Sequence, residues 1–270
     1  MHILKGYTKQ EISWMMYDWA NSAHSVIIVT LLPIFFDTVA GYTADSVSSM
    51  STWGYATSIA MLIVALSAPF LGVFGDIRGM RKKLFSFFML LGVAACAGMA
   101  FTPGMNFTSG PVAAGKVASL ILVLYIVSVI GFDASAIYYD AFLTDVTTED
   151  RMDKVSTMGY GLGYLGGPTI PLLIFLIMNL VGVPMLTCLA FAFGLTAVWW
   201  LAFSLPLLKN CEQTSGKPYE KGDVARSIKG VGTTIKEIIA NKPMLIYILS
   251  YFFYIDGVHT VISMATTYGT

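Results

Sequence analysis

Residues 13–36 read SWMMYDWANSAHSVIIVTLLPIFF, an apolar run that contains one aspartate, Asp18, and one asparagine, Asn21. A helix of about 20 apolar residues crosses the roughly 30 Å hydrocarbon core of a bilayer. Charged and amide side chains are costly at that depth, and they occur there mostly for a structural or functional reason. This stretch therefore predicts a membrane-spanning helix with a polar site inside it.

The rest of the chain has the composition of a membrane protein. It is 56% hydrophobic and 12% charged, whereas soluble domains average about 45–50% and 25%. Seven apolar runs are long enough to span, namely 13–36, 51–74, 84–101, 117–142, 157–180, 184–207 and 243–265. The first is too long for a cleaved signal peptide and lacks a small-residue cleavage site. We therefore expect an all-α polytopic membrane protein.

The basic residues set the expected orientation. Of the 16 lysines and arginines, 15 fall on alternate loops, and Lys116 is the exception. Positively charged loops stay on the cytoplasmic side, so the N-terminus is predicted to be cytoplasmic. The short connections favour a bacterial inner membrane.

Composition also divides the chain into three parts. Residues 1–207 form a predicted six-helix bundle, 208–242 a polar cytoplasmic linker, and 243–270 the first helix of a second bundle. Within the linker, apolar residues recur at helical spacing at Val224, Ile228, Val231, Ile235 and Ile238. Such an amphipathic helix can lie on the anionic inner leaflet.

Polar residues inside the spans are the candidates for a substrate or ion pathway. At about 100° per residue, Asp18, Asn21 and Ser22 share one face of the first helix. Further candidates are Asp133 and Tyr138 in the fourth helix and Asp256 in the seventh, whereas Asp140 is placed near the surface as a solvated carboxylate. Two interpretations stay open, a wet pathway or hydrogen bonds that only hold the helices together.

The loop after the second span reads GVFGDIRGMRKK over residues 72–83. Its glycines allow a tight reversal, and Asp76 can pair with a basic group or a helix N-terminus. A solvated positive loop would account for the basic residues but not for the spacing of Gly72, Asp76 and Gly79.

The fifth span contains GYGLGYLGGPTIP at residues 159–171. Gly159, Gly163 and Gly167 recur every four residues and predict close approach of another helix. Pro168 breaks or kinks the helix and frees backbone carbonyls. We interpret this stretch as a packing surface and hinge.

Several of these motifs resemble one family of secondary transporters. The loop at 72–83 is similar to the signature loop of the major facilitator superfamily. More narrowly, YDWANSA (17–23), YYDAFLTDV (138–146), RMDKVSTMGYGLGYLGG (151–167) and YFFYIDGVHTVI (251–262) resemble the autophagy-linked vacuolar amino-acid effluxers and their bacterial relatives. The resemblance implies twelve helices in two bundles, alternating access and a central cavity. By this criterion the chain is expected to be a fragment covering helices one to seven.

The resemblance also implies roles for individual residues. Tyr17, Asp18 and Asn21 would line one side of the cavity, and Asp256 and Thr260 the opposite side. The cytoplasmic gate would comprise Gly72, Asp76, Arg78, Gly79, Arg81, Asp145 and Arg151. Ile77 stands where the superfamily loop usually has a basic residue, with Arg78 beside it, which puts the usual gate ion pair in question.

We therefore expect a secondary active transporter, not an enzyme, that moves a small polar solute, with amino acids as the class suggested by the resemblance. An aspartate would couple transport to protons, since a desolvated carboxylate can take up and release one. The expected partners are the solute, protons and the lipid bilayer, with no nucleic acid, cofactor or metal, and the oligomeric state is left open.

Two alternatives are a seven-helix receptor and an intramembrane aspartyl protease. A cytoplasmic N-terminus argues against most receptors, and residues 131–133 read Gly-Phe-Asp instead of completing a protease GxGD motif.

Overall fold

The computed structural model describes residues 4–43, 49–218 and 223–269. Within them the chain is almost entirely helical. The α-helices are α1 Lys9–Ala40, α2 Ser49–Gly75, α3 Arg81–Met99, α4 Pro111–Val146, α5 Met152–Gly166, α6 Thr169–Leu180, α7 Met185–Asn210, α8 Asp223–Ala240 and α9 Lys242–Gly269. Two single-turn 3₁₀ helices, Thr102–Gly104 and Glu149–Arg151, precede α4 and α5.

Six stretches of the described chain are long and apolar enough to cross a membrane, and α5 with α6 forms one of them. The all-α polytopic fold and the first six predicted spans are therefore confirmed. The seventh differs from the prediction. The α9 segment meets the same criteria only together with part of α8, and the two are bent by 101° at their junction.

Helix α1 runs beyond the predicted apolar run because its start is fixed by polar capping and not by hydropathy. Thr8 and Glu11 form a capping box at the start of α1: the Glu11 N–H donates to Thr8 Oγ1 at 3.1 Å, and the Thr8 N–H donates to Glu11 Oε2 at 2.7 Å. Such reciprocal bonds satisfy N–H groups that a helix leaves unpaired. Thus α1 begins four residues before the predicted span.

The fifth span is interrupted where Pro168 lies, between the end of α5 at Gly166 and the start of α6 at Thr169. Proline has no N–H to donate to the preceding turn. Next to the break, the Thr169 hydroxyl donates to the Leu165 carbonyl at 2.8 Å. One carbonyl at the break therefore has a side-chain donor.

The most buried helix of the bundle is α1, and it packs against α4, α5 and α7. On the far side of α4, helix α3 approaches closely at Gly131, where an added Cβ would lie 2.5 Å from the Gly92 nitrogen. Trp200, Phe85 and Phe193 fill the interior and are fully buried. This packing fixes α1 and α4 side by side and so positions the polar residues that they carry.

Candidate functional site

A cavity of about 260 Å³ opens between α1, α4 and α5. Its lining residues are Asp18, Asn21, Ser22, Ser25, Val26, Phe132, Ala136, Tyr139, Asp140, Tyr160, Gly163, Tyr164 and Pro168. Asp18 lies about 14 Å along α1 from Lys9, at 1.5 Å per residue. Asp18 is thus the tenth residue of the 32-residue α1, about a third of the way along a helix able to cross the bilayer.

Asp18 is held by α4. Its Oδ2 accepts a hydrogen bond from the Tyr139 hydroxyl at 2.7 Å, and its side chain is largely buried. Tyr139 is itself fixed by Trp14, whose ring stacks on it at 4.4 Å and whose indole N–H donates to the Tyr139 carbonyl at 2.9 Å. The carboxylate therefore has one neutral hydrogen-bond donor and a defined position.

The glycine stripe of α5 lies directly against this face of α1. A Cβ at Gly159 would lie 2.6 Å from Asp18 Oδ2, and one at Gly163 would lie 2.9 Å from Ser22 Oγ. Gly163 also lines the cavity, together with Pro168. The predicted packing surface is thus in contact with the polar residues, because only glycine leaves room beside Asp18.

Three other predicted pathway residues lie outside the lining of this cavity. Tyr17 is fully buried and its hydroxyl is 2.8 Å from Ser135 Oγ. Tyr138 faces α2, where its hydroxyl donates to the Leu71 carbonyl at 3.0 Å. Asp133 is half-buried, and its Oδ2 is buried without a hydrogen-bond partner among the described residues. These three side chains therefore lie outside the lining that Asp18 and Asn21 help to form, although the Tyr17 ring packs 4.8 Å from that of Tyr139, the donor to Asp18.

The two predicted residues of α9 are also outside the lining. Asp256 and Thr260 are both exposed on α9. The cavity as described is lined by residues 18–26, 132–140 and 160–168 only.

A second polar cluster lies at the end of the bundle where α1 begins, which we call the basic side because Arg81 and Arg151 lie there. Arg81 is 4% exposed and forms an ion pair with Asp145. The same guanidinium donates to the Ala141 carbonyl at 2.9 Å and to Ser215 Oγ at 3.2 Å. Asp76, the predicted partner in the loop, lies 4.0 Å from Arg81 with its side chain 84% exposed. The stronger ion pair therefore involves Asp145 and not Asp76.

The segment after α7 binds to this cluster. Asp145 Oδ1 accepts hydrogen bonds from the Thr214 N–H at 3.0 Å, the Thr214 hydroxyl at 2.9 Å and the Ser215 N–H at 2.8 Å. Gln213 Oε1 accepts from the Gly79 N–H at 2.8 Å, and its amide donates to the Gly75 carbonyl at 3.0 Å. The start of the linker is thus bound to the loop between α2 and α3.

Backbone bonds extend this contact. The Arg78 N–H donates to the Lys217 carbonyl at 3.0 Å, and the Lys217 N–H donates to the Asp76 carbonyl at 3.2 Å. Gly79 has a φ of 81°, a conformation that other residues rarely adopt. A Cβ at Gly72 would have open space around it, so no close approach explains this glycine.

Arg151 belongs to a separate ion pair on the basic side. Its guanidinium Nε donates to Glu11 Oε1 and its Nη2 donates to Glu11 Oε2, both at 2.9 Å. The Thr147 hydroxyl also donates to Glu11 Oε1 at 2.7 Å. Glu11 therefore connects the start of α1 with the turn between α4 and α5.

Sequence reasoning missed several of these residues. Asp140 is exposed, as expected for a solvated carboxylate, but it lines the same cavity as Asp18. Tyr160 and Tyr164 also line it, and their four-residue spacing places them on one face of α5. That spacing was visible in the sequence. The Thr8–Glu11 capping box has a sequence signal, but the bond of Glu11 to Arg151 and the role of Gln213 have none, because those partners lie more than 130 residues away.

Six membrane-length helical segments around a polar cavity, with a glycine-rich Asp–Arg loop joining the second and third, define an MFS-type membrane protein. A family model described as "Vacuole effluxer Atg22 like" matches residues 41–270, and the chain belongs to this family. It is also 39% identical over 276 residues to an uncharacterized MFS-type transporter, YxiO, of Bacillus subtilis (strain 168). That alignment covers 99% of this chain and 62% of the relative, so the chain spans less than two thirds of the relative's length.

Proposed function

We propose that this chain forms part of a secondary active transporter that moves a small polar solute across a membrane by alternating access. In this proposal residues 1–207 are the N-terminal six-helix bundle, 208–242 a cytoplasmic linker, and 243–270 the first helix of a second bundle. The family membership supports a transport role. The N-terminus would be cytoplasmic and the membrane a bacterial inner membrane.

One observation carries the proposal. The cavity contains a carboxylate, Asp18, which is 7% exposed and is the tenth residue of a 32-residue membrane-length helix, where a charged group is costly unless it has a function. A purely structural aspartate would be expected to have its oxygens paired with neighbouring helices. Among the described residues Asp18 has a single donor, the Tyr139 hydroxyl; α5 packs against one side of its side chain, and the side chain also lines the cavity.

Asp18 is also our proposed site of proton coupling. It lies next to a space that can hold water or solute, and it has no basic partner among the described residues. A carboxylate in that position can bind a proton in one access state and release it in the other. The name of the family suggests efflux, and amino acids are the solute class that we propose to test first.

The basic side would act as the gate. Arg81 and Asp145 join α3 to α4, and Gln213 and Ser215 join the linker to the same group. These bonds connect α3, α4 and the linker. Opening of the basic side would therefore either break some of the bonds or move α3, α4 and the linker together as one rigid body.

Transport of radiolabelled amino acids by the purified protein in proteoliposomes would test the proposal. We expect uptake to depend on a pH gradient and to acidify or alkalinise the lumen, as read by a trapped pH-sensitive dye. Asp18→Asn should lower uptake at least about 10-fold, because it removes the more deeply buried of the two carboxylates that line the cavity.

Asp37→Asn is the matched control. Asp37 is also on α1, about 28 Å further along the helix axis, where it accepts a hydrogen bond from Ser49 at 2.7 Å. Solute uptake by the Asp37→Asn variant should equal that of the parent protein. If Asp18→Asn transports at the parent rate with the same pH dependence, coupling through Asp18 is wrong.

A further inference from the structure

The described lining of the cavity contains acidic side chains and no basic ones. Asp18 and Asp140 both line it, and no lysine, arginine or histidine is among its described lining residues. His24, the nearest basic residue on α1 by sequence, is buried against the Phe132 ring at 4.7 Å and does not line the cavity. The part of the site described here is therefore acidic.

Asp18 is not satisfied by the protein. It is 7% exposed, and only its Oδ2 accepts a hydrogen bond, from Tyr139. Its Oδ1 has no hydrogen-bond partner among the described residues. A carboxylate oxygen with free acceptor capacity at the wall of a cavity is a favourable position for a donor on a ligand, because a largely buried charge is costly without partners.

Asp140 is also without a basic partner in the described chain, although it is more exposed. It lies on α4 one residue after Tyr139 and lines the same cavity. Two carboxylates therefore line one cavity, and an anionic group that entered the cavity would be repelled by both.

Aromatic rings surround these carboxylates. Phe132, Tyr139, Tyr160 and Tyr164 all line the cavity. Ring faces attract ammonium groups, with a contribution of roughly 0.5–2 kcal/mol depending on desolvation. The same rings give no comparable attraction to a carboxylate. Charge and ring chemistry therefore favour the same class of ligand.

We propose that the cavity between α1, α4 and α5 binds a net-cationic solute through its ammonium groups, with Asp18 and Asp140 as the recognition residues. This rests on the proposed transport function and narrows its substrate class to compounds such as diamines and cationic amino acids. Asn21, Ser22 and Ser25 supply neutral polar contacts along the α1 side of the cavity.

A matched series of three five-carbon compounds tests this by calorimetry on the purified protein. Cadaverine carries two ammonium groups, 5-aminopentanoate carries one ammonium and one carboxylate, and glutarate carries two carboxylates. We expect cadaverine to bind at least about 10-fold more tightly than 5-aminopentanoate, and glutarate to give no measurable heat. The proposal would be overturned if 5-aminopentanoate or glutarate bound as tightly as cadaverine, or if cadaverine did not bind.

Variants assign the binding to the cavity. Asp18→Asn and Asp140→Asn should each weaken cadaverine binding about 10-fold, whereas Asp37→Asn, on the same helix as Asp18 but outside the cavity, should leave it unchanged. Equal weakening by Asp37→Asn would show that only general surface charge attracts the diamine, which overturns the assignment.

Measurements of binding and of transport distinguish failure of the cationic-solute proposal from failure of the transport proposal. Cadaverine binding without any solute uptake in proteoliposomes would support the recognition site and contradict the transport proposal. Uptake of neutral or anionic solutes, with no cadaverine binding, would support transport and contradict the cationic substrate class.

Discussion

The carboxylates in the cavity and those on the basic side of the bundle have opposite environments. Asp145 pairs with Arg81 and accepts three further hydrogen bonds from Thr214 and Ser215. Glu11 likewise accepts from Arg151, the Thr147 hydroxyl and the Thr8 N–H. Among the described residues Asp18 has a single donor, a tyrosine hydroxyl. The fold thus gives the buried carboxylates of the basic side, Asp145 and Glu11, several donors each and leaves Asp18 in the cavity with one.

This difference separates stability from function. A buried charge without a partner costs several kcal/mol, so a protein retains it only where another benefit offsets the cost. The saturated pairs connect segments that are far apart in sequence and so hold the bundle together. The unsatisfied carboxylate makes little such connection, and its free oxygen is available to a solute or a proton.

The largest expected effect on stability is that of Asp145→Asn. It leaves the Arg81 charge, which is 4% exposed, with only the exposed Asp76 carboxylate 4.0 Å away as a counter-charge. Breaking a buried ion pair by removing one partner costs about 3 kcal/mol or more. The free energy of unfolding, measured by titration with sodium dodecyl sulfate and read by tryptophan fluorescence, should fall by that amount.

Asp76→Asn is the control for this change. It also removes one carboxylate charge near Arg81, but the Asp76 side chain is 84% exposed and lies 4.0 Å from the guanidinium. Exposed pairs contribute less than about 1 kcal/mol. Comparable losses for the two variants would show that the distinction between the buried and the exposed partner is wrong.

Gly159→Ala should have an intermediate effect. The new methyl group would lie 2.6 Å from Asp18 Oδ2 and 3.1 Å from the Trp14 ring, so the carboxylate must move. Overpacking of this kind costs about 1–3 kcal/mol. Loss of uptake together with this loss of stability would locate the contact at the cavity.

Gly161→Ala provides the comparison two residues along the same helix. A Cβ there meets nothing within 4 Å, and alanine favours a helix over glycine by up to about 1 kcal/mol. This variant should therefore be as stable as the parent or slightly more stable. A loss equal to that of Gly159→Ala would indicate that the helix backbone, and not the contact with Asp18, explains both results.

Tyr139→Phe should have the smallest effect on stability. It removes the hydroxyl that donates to Asp18 but keeps the ring stacked on Trp14. The net value of one such hydrogen bond is about 1 kcal/mol. We expect a loss of that size in the free energy of unfolding and a shift in the pH dependence of uptake, because Asp18 then lacks its only donor. An unchanged pH profile would argue that Tyr139 positions the helix and does not act on the carboxylate.

The membrane spans and the face of α1 could be predicted from the sequence because both depend on local pattern. An apolar run of 24 residues has one stable arrangement in lipid, a helix, and the 100° step places Asp18, Asn21 and Ser22 together. The break at Pro168 was also predictable, since proline acts on its own turn. The interpretation of the glycine stripe was incomplete. It predicted that α5 packs closely against another helix, but not that this helix is α1 or that the contact includes Asp18.

Tyr138 and Tyr139 show what local pattern cannot decide. Both lie beside Asp140 in the sequence, yet Tyr138 donates to Leu71 on α2 whereas Tyr139 donates to Asp18 on α1. Which neighbour each one meets depends on where α1 and α2 pack around α4. No spacing within α4 encodes that arrangement.

By itself the sequence determined the helical membrane fold, the break in the fifth span and the polar face of α1, because hydropathy, helix period and proline chemistry act within a few residues. Only the tertiary structure decided that Asp18 and Asp140 share a cavity, that Asp145 is the partner of Arg81, and that the linker is bound to the loop after α2. Those outcomes depend on contacts between residues 60 or more positions apart, and the energy of a buried charge is set by whichever groups packing brings to it.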